Sequence, residues 1–341
     1  MWEVRMSLNT LWFILICTLF VGFFFLEGFD FGVGMLVPFI GKKDVERRVV
    51  MNSIGPFWDA NEVWLIAAGA SMFAAFPNWY ATLFSGFYFP LFVMILAFIA
   101  RGVAFEYRSK VENPKWRNTW DSVLFAGSLL PPLLWGVALA DLMKGVPIDT
   151  KMDYVGTFFD LISVYSLIGG VSVVLLFILH GALFLTLRTT GDIRERASVA
   201  AMRIGAPTTA VMFLFVILSY FQTDIFSRLG VDRGLVPIVA GLALISVRFL
   251  IKYRHYSFAF AMTGFVIVLS TITVFLGLYP RVMISSLNPD WSLNIYNAAS
   301  NPYSLRVMTI ISLTVIPIVI AYQIWSYWVF RHRVKLDHLD Y

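Results

Sequence analysis

Long apolar runs alternate with short polar connections along this chain, and the length of the runs is the first constraint on its fold. A helix needs roughly 20 apolar residues to cross about 30 Å of hydrocarbon. Nine segments come close to or meet that length: approximately 8–37, 54–75, 79–100, 121–142, 158–187, 204–223, 235–251, 257–279 and 304–330. No strand-length alternation punctuated by turns is visible, and a helix satisfies every backbone amide within its own segment, as lipid demands. The pattern predicts an all-α polytopic membrane protein with nine transmembrane helices. A weak repeat, "LEGFDF" at 26–31 and "LHGALF" at 179–184, together with "EYR" near 107 and "KYR" near 253, suggests a four-helix unit used twice. The expected division is a first four-helix bundle in 1–150, a second in 151–280, and an external loop, a peripheral ninth helix and a tail in 281–341.

The connections differ sharply in charge. One set carries Lys42, Lys43, Arg47 and Arg48, then Arg101, Arg108, Lys110, Lys115 and Arg117, then Arg188, Arg194, Arg196 and Arg203. Arg248, Lys252 and Arg254, and finally Arg331, Arg333 and Lys335, continue the same alternation. The other set keeps only Arg5, Lys144, Lys151, Arg228, Arg233, Arg281 and Arg306. By the positive-inside rule the amino terminus lies outside and the carboxyl terminus in the cytoplasm. The first run has no small-residue cleavage site and is followed by polar residues at membrane depth, so it reads as a retained helix rather than a signal peptide. The 280–303 connection is the longest outside loop; its Trp, Tyr and Pro content suggests an interfacial segment, but an ordered external loop is the favoured reading.

Composition agrees with the runs: 59% of the 341 residues are hydrophobic, 17% aromatic and only 14% charged, with a mean hydropathy of +0.77. The net charge of +5 follows from topology, so nucleic-acid binding is not expected. A single cysteine, Cys17, rules out an internal disulfide framework.

Against this background "GPFWDANEVWL", residues 55–65, is out of place. Asp59 and Glu62 are three apart and share a helix face, as do Glu27 and Asp30 in "FFFLEGFDFGVG". Asp30 and Asp59 are each about 15 residues from a turn centred near residue 45, and Glu27 and Glu62 about 18. An antiparallel hairpin therefore brings all four carboxyl groups to one depth in the cytoplasmic half of the membrane, on the side where Arg101 closes the third span. Each acid costs about 2.5–3.5 kcal/mol at mid-membrane, so the four must face protein, water or one another. Glycines 22, 28, 32 and 34 allow close packing of the first helix. Clustered carboxyl groups raise one another's proton affinity, which suits groups that take up and pass on protons; Trp58, Asn61 and Trp64 supply donors and packing surface. The competing reading is structural, with the acids paired to Arg101 or to backbone amides.

His180 is the one histidine inside an apolar run, since His255, His332 and His338 lie at the rim or in the tail. One imidazole cannot ligate several haems, and a hydrogen-bonded core role is favoured over haem ligation. No HExxH, CxxC, GxGxxG or Walker A pattern is present, so the chain is expected to ligate no metal and to carry no cofactor or catalytic redox residue of its own.

"EGFDFGVGML", "RRVVMNSIGPFWDANEVWL", "FSGFY", "EYRSK" followed by "WRNTWD", and "LLPPLLWGVALADLMKGVP" occur in this order through the first half of the chain. With "LHGALFLTLRTTGDI" in the second half, the chain closely resembles subunit II of the cytochrome bd-type quinol oxidases. The resemblance implies a bacterial inner-membrane heterodimer with a homologous subunit I that holds the b-type and d-type haems and the quinol-oxidising site, with room for a small single-helix subunit. The pair oxidises quinol, reduces dioxygen to water and generates a proton-motive force, because quinol protons leave outside while those entering water come from the cytoplasm. Subunit II supports the haem-bearing bundle and contributes to proton delivery; Asp59 with Trp58 in "WDAN", and Asp30 with Glu27 in "EGFD", match the family's motif. Some members have aspartate at the position of Glu27, a difference of one methylene in reach. The alternatives are a proton-coupled secondary transporter and a purely structural assembly subunit.

Overall fold

The computed structural model describes residues 7–228 and 235–334. Arg5, Arg233, Lys335 and His338, and the Arg228 side chain, lie outside the described residues. The helices are α1 (Leu8–Ile40), α2 (Asp44–Asn52), α3 (Trp58–Ala75), α4 (Pro77–Gly86), α5 (Tyr88–Tyr107), α6 (Pro114–Lys144), α7 (Val164–Arg188), α8 (Gly191–Gln222), α9 (Ile225–Arg228), α10 (Leu235–Lys252), α11 (Tyr256–Leu278) and α12 (Pro302–Val329). Two short strands, β1 (Arg281–Met283) and β2 (Leu293–Asn294), interrupt an otherwise all-α architecture.

Eight helices, α1, α5, α6, α7, α8, α10, α11 and α12, are long and apolar enough to cross a membrane. The 18-residue α3 has the length, but Asp59, Asn61 and Glu62 in its first turns make it too polar for that criterion. By length and composition eight helices among the described residues are candidate crossings, where the sequence predicts nine. Boundaries shift as well. The predicted run 79–100 is broken at Phe87 into α4 and α5, and α5 continues to Tyr107, so Arg101 sits inside the helix rather than at its end. The hairpin turn near residue 45 is itself a helix, α2, whose start is fixed by Glu46 Oε2 accepting from the Lys42 and Lys43 amides at 2.7 and 3.0 Å. The helix α8 begins at Gly191, well before the predicted 204, because its basic first turns remain helical beyond the apolar run.

The 33 residues of α1 span roughly 50 Å at 1.5 Å per residue, more than the hydrocarbon needs. Every residue from Glu27 to Val37 is buried, so α1 is enclosed on all sides, by α3, α6, α7 and α11. Small residues make this possible. A Cβ on Gly32 would lie 1.9 Å from the Phe177 carbonyl oxygen, and one on Gly181 would lie 2.5 Å from the Gly32 backbone. The backbones of α1 and α7 are in contact there, the close approach that small-residue pairs permit in membrane helices.

At the end of the bundle remote from α2, residues 280–300 form an ordered cap. Arg281 pairs with Asn294 and Met283 with Leu293 across β1 and β2. The Val146 amide donates to Ile284 O at 2.9 Å, and Ser300 ties the cap to the end of α3 through its hydroxyl on Ala74 O at 2.7 Å. At the α2 end, Arg108 is almost fully buried and donates to Asp121 at 2.5 and 3.1 Å and to Asp44 at 2.9 Å; Arg47 reaches Asp121 at 2.7 Å. Arg196 of α8 pairs with Glu46 at 2.8 Å. Burial works against the charge on Glu46, but the hydrogen bonds from Arg196 and from the Lys43 and Lys42 amides outweigh it and hold this carboxyl below its usual range.

Gly32→Val is expected to force α1 and α7 apart and to cost about 1–3 kcal/mol or more, the usual penalty of overpacking. Gly69→Ala, with nothing within 4 Å of the new Cβ, serves as the neutral control; thermal stability of the purified assembly distinguishes the two.

Candidate functional site

Arg101 of α5 is the centre of the polar cluster. It is fully buried, and its Nη1 donates both to Glu27 Oε1 of α1 and to Glu62 Oε1 of α3, the latter at 2.7 Å. The Glu62 side chain keeps 18% exposure, whereas Glu27 keeps none. The guanidinium carbon lies 4.8 Å over the Phe31 ring and 5.8 Å over Phe105, so aromatic faces complete its surroundings. Gly127 of α6 makes room: a Cβ there would come within 2.9 Å of Arg101 Cβ.

Asp30, one turn beyond Glu27, is also fully buried. Its Oδ2 accepts from Asn61 Nδ2 at 2.6 Å. The Asn61 Oδ1 accepts from Gln323 Nε2 at 3.0 Å and from the Tyr327 hydroxyl at 2.9 Å, and Gln323 Oε1 accepts from Trp64 Nε1 at 2.7 Å. Polar atoms remain buried without a partner on both sides of the ion pair: Glu27 Oε2, Asp30 Oδ1 and Arg101 Nε and Nη2. Three carboxyl groups face one guanidinium. With all three ionised the group carries a net charge of −2, more negative charge than its one cation offsets.

Of the acids singled out by sequence, Glu27, Asp30 and Glu62 meet around Arg101. Asp59 does not join them; it lies exposed on α3, one turn from Glu62, on the outer face of the chain. Trp58 stacks on Phe105 with ring centroids 5.1 Å apart and packs toward Gly102, so it adjoins the Arg101 site through Phe105. Trp64 and Asn61 both serve as hydrogen-bonding members. Gln323 and Tyr327 were missed, because nothing in the pattern of α12 relates it to α3. Equally unread was the ion-pair set of Asp44, Arg47, Arg108 and Asp121, whose arginines count in the sequence only as topology signals.

His180 sits in an aromatic core. Its ring stacks on Phe260 at 4.3 Å and 4° and lies beside Phe25 and Phe29, and its Nδ1 shares a 2.7 Å hydrogen bond with the Thr263 hydroxyl; these contacts give it the hydrogen-bonded packing role of a buried histidine. Among the described residues no group of three or more His, Cys, Asp or Glu is arranged to hold a metal ion. A separate apolar cavity of about 170 Å³ lies between α6, α7, α8, α10 and α11, lined by residues such as Leu139, Phe177, Met212 and Leu244, away from the acids.

These features define a polytopic membrane protein with a carboxylate–guanidinium cluster buried between α1, α3 and α5. The chain belongs to the cytochrome bd terminal oxidase subunit II family, whose model matches residues 8–330. It is 49% identical over 329 residues to cytochrome bd ubiquinol oxidase subunit 2 of Bacillus subtilis, covering 96% of this chain and 97% of that one. It is 33% identical over 367 residues to cytochrome bd-I ubiquinol oxidase subunit 2 of Escherichia coli K12, covering 98% and 97%. The fold is shared with a chain in the structure of bd oxidase from Geobacillus thermodenitrificans, at a TM-score of 0.74 and 17% identity over 94% of this chain and 98% of that one.

Arg101→Met is expected to leave Glu27 buried without its cation and to destabilise the assembly by about 3–5 kcal/mol. Glu27→Gln in the same molecule recovers part of that loss, which a comparison of thermal unfolding among wild type, single and double variants will show.

Proposed function

We propose that this subunit of a cytochrome bd-type quinol oxidase leads protons from the cytoplasm toward oxygen chemistry in a haem-bearing partner. The oxidase itself follows from the family and from the ubiquinol oxidase names of its relatives in B. subtilis and E. coli: it oxidises quinol and reduces oxygen. Membership of that family, together with eight apolar helices, makes the chain a multi-pass membrane component of an oxidoreductase.

The finer reading adds a ninth crossing at α3, an external amino terminus and a cytoplasmic carboxyl terminus in the bacterial inner membrane. It keeps a first unit in 1–150, a second in 151–280 and a peripheral third segment in 281–341. The basic residues gathered at the α2 end support the orientation, and the packing of α3 against α1 supports the extra crossing. In this reading the b-type and d-type haems and the quinol site belong to subunit I, the two chains form a heterodimer, and a small single-helix subunit has room to attach.

One observation carries the proton role: Arg101 is shared by Glu27 and Glu62 while Asp30 adjoins them and Asp59 stands exposed one turn away. Intramembrane acids held inside a bundle and opening at one edge are the usual components of a proton relay. Asp59 receives or releases protons at the chain's outer face, Glu62 is half-way in, and Glu27 and Asp30 form the inner end. A transporter reading yields to the family; a purely structural role for the acids makes a different prediction from the one that follows.

Asp59→Asn is expected to slow oxygen consumption by roughly 10²-fold, the low end of what a positioned proton-transfer group contributes, with haem content retained. Normal turnover in an assembled variant would remove Asp59 from the route. The chain purified alone is expected to show no haem Soret band, and a stoichiometric haem in it would overturn the assignment of the haems to the partner.

A further inference from the structure

The hydrogen bonds beyond Asp30 have a direction, and that direction is set from outside the acid cluster. An indole nitrogen can only donate, so the end of Gln323 that meets Trp64 Nε1 at 2.7 Å must be its oxygen. The other end of Gln323 is then an NH2 group, which donates to Asn61 Oδ1 at 3.0 Å. With its oxygen occupied, Asn61 has only its NH2 to present at 2.6 Å to Asp30. A carboxylate can only accept, so the two ends of the chain agree. Turning either amide alone would set two donors or two acceptors against each other at both of its contacts. The Tyr327 hydroxyl, 2.9 Å from Asn61 Oδ1, can donate or accept and so follows the direction without choosing it.

We propose that Trp64 and Gln323 are positioning residues that lock the Asn61 amide with its NH2 on Asp30, making α12 part of the proton site rather than only its flank. The inference deepens the proton-delivery reading and rests on it for its functional meaning. The lock gives Asp30 Oδ2 a permanent N–H donor. It leaves Oδ1, which is buried and has no donor, as the oxygen at which a proton arrives and departs, on the side of Glu27. Packing alone would not need this: most of α12 is exposed, and the helix could sit against α3 with apolar side chains at 323 and 327. Buried amides with a fixed sense are the means by which a polar network favours one arrangement over its mirror.

The test uses the purified oxidase with both subunits, checked for assembly by its haem absorption. Infrared difference spectra between two pH values, recorded for wild type and Asp30→Asn, identify the bands that belong to Asp30. In Trp64→Phe, which removes the donor and keeps an aromatic ring, these bands are expected to shift, to higher wavenumber where the carboxyl is protonated, because its C=O loses the N–H donor. Gln323→Met, similar in length and without either amide end, is expected to shift them in the same direction and serves if the first variant fails to assemble. Asp30 bands at an unchanged position in the assembled variants, or no Asp30-dependent band in the wild type, would overturn the proposal. Oxygen consumption on the same samples separates the two ideas: a shifted band with unchanged turnover sustains the lock and withdraws Asp30 from the proton path.

Discussion

A guanidinium shared between two carboxylates, buried among membrane helices, is the interaction on which the site depends. Removing Arg101 from water is costly, and so is removing Glu27 or Glu62; the arrangement holds only because the three offset one another and because Phe31 and Phe105 face the cation. The consequence for architecture is that α1, α3 and α5 are tied at one point and at one depth. For chemistry, the consequence is an excess of acids over cations that is held in place rather than dispersed, with one member, Glu62, partly open.

Two features of the packing keep that point fixed. The first is steric: the backbone contact of Gly32 with Gly181 locks α1 onto α7, so Glu27 and Asp30 cannot withdraw from α3 and α5. The second is polar. Little of α12 is buried, and among the polar contacts that hold it to the bundle are those of Gln323 and Tyr327 with Asn61 and Trp64; in membranes each such bond contributes about 0.6–2 kcal/mol. Further along, Arg108, Asp121, Asp44 and Arg47 fasten the α2 turn. The rigid hairpin connection is thus an ion-paired helix rather than a loop.

Much of this was legible in the sequence, and the reasons for the rest are physical. Apolar runs located most crossings, since the bilayer fixes their length, and helix spacing put Glu27 with Asp30 and Asp59 with Glu62. Spacing along a helix does not fix its rotation, however, and α3 is turned so that Glu62 faces Arg101 while Asp59 faces outward. Hydropathy also misjudged helix ends wherever polar residues continue a helix beyond its apolar run, as in α8 and at Arg101 within α5. Gln323 and Tyr327 join the site across more than 250 residues of chain, a pairing that no local pattern encodes. The pairing of Arg108 with Asp121 was hidden for a different reason: positive charge near a crossing has an adequate topological explanation, which gives no cause to look for a partner.

The central claim is that the acids around Arg101 carry protons from the basic face of the subunit to the site where oxygen is reduced. It is tested most directly by following proton uptake with a pH indicator during a single turnover, when fully reduced oxidase is mixed with oxygen. With Glu62→Gln in an oxidase of normal haem content, proton uptake and oxygen reduction are predicted to slow together and by the same factor. Uptake at the wild-type rate in that variant would contradict the claim and leave the cluster a structural tie between three helices.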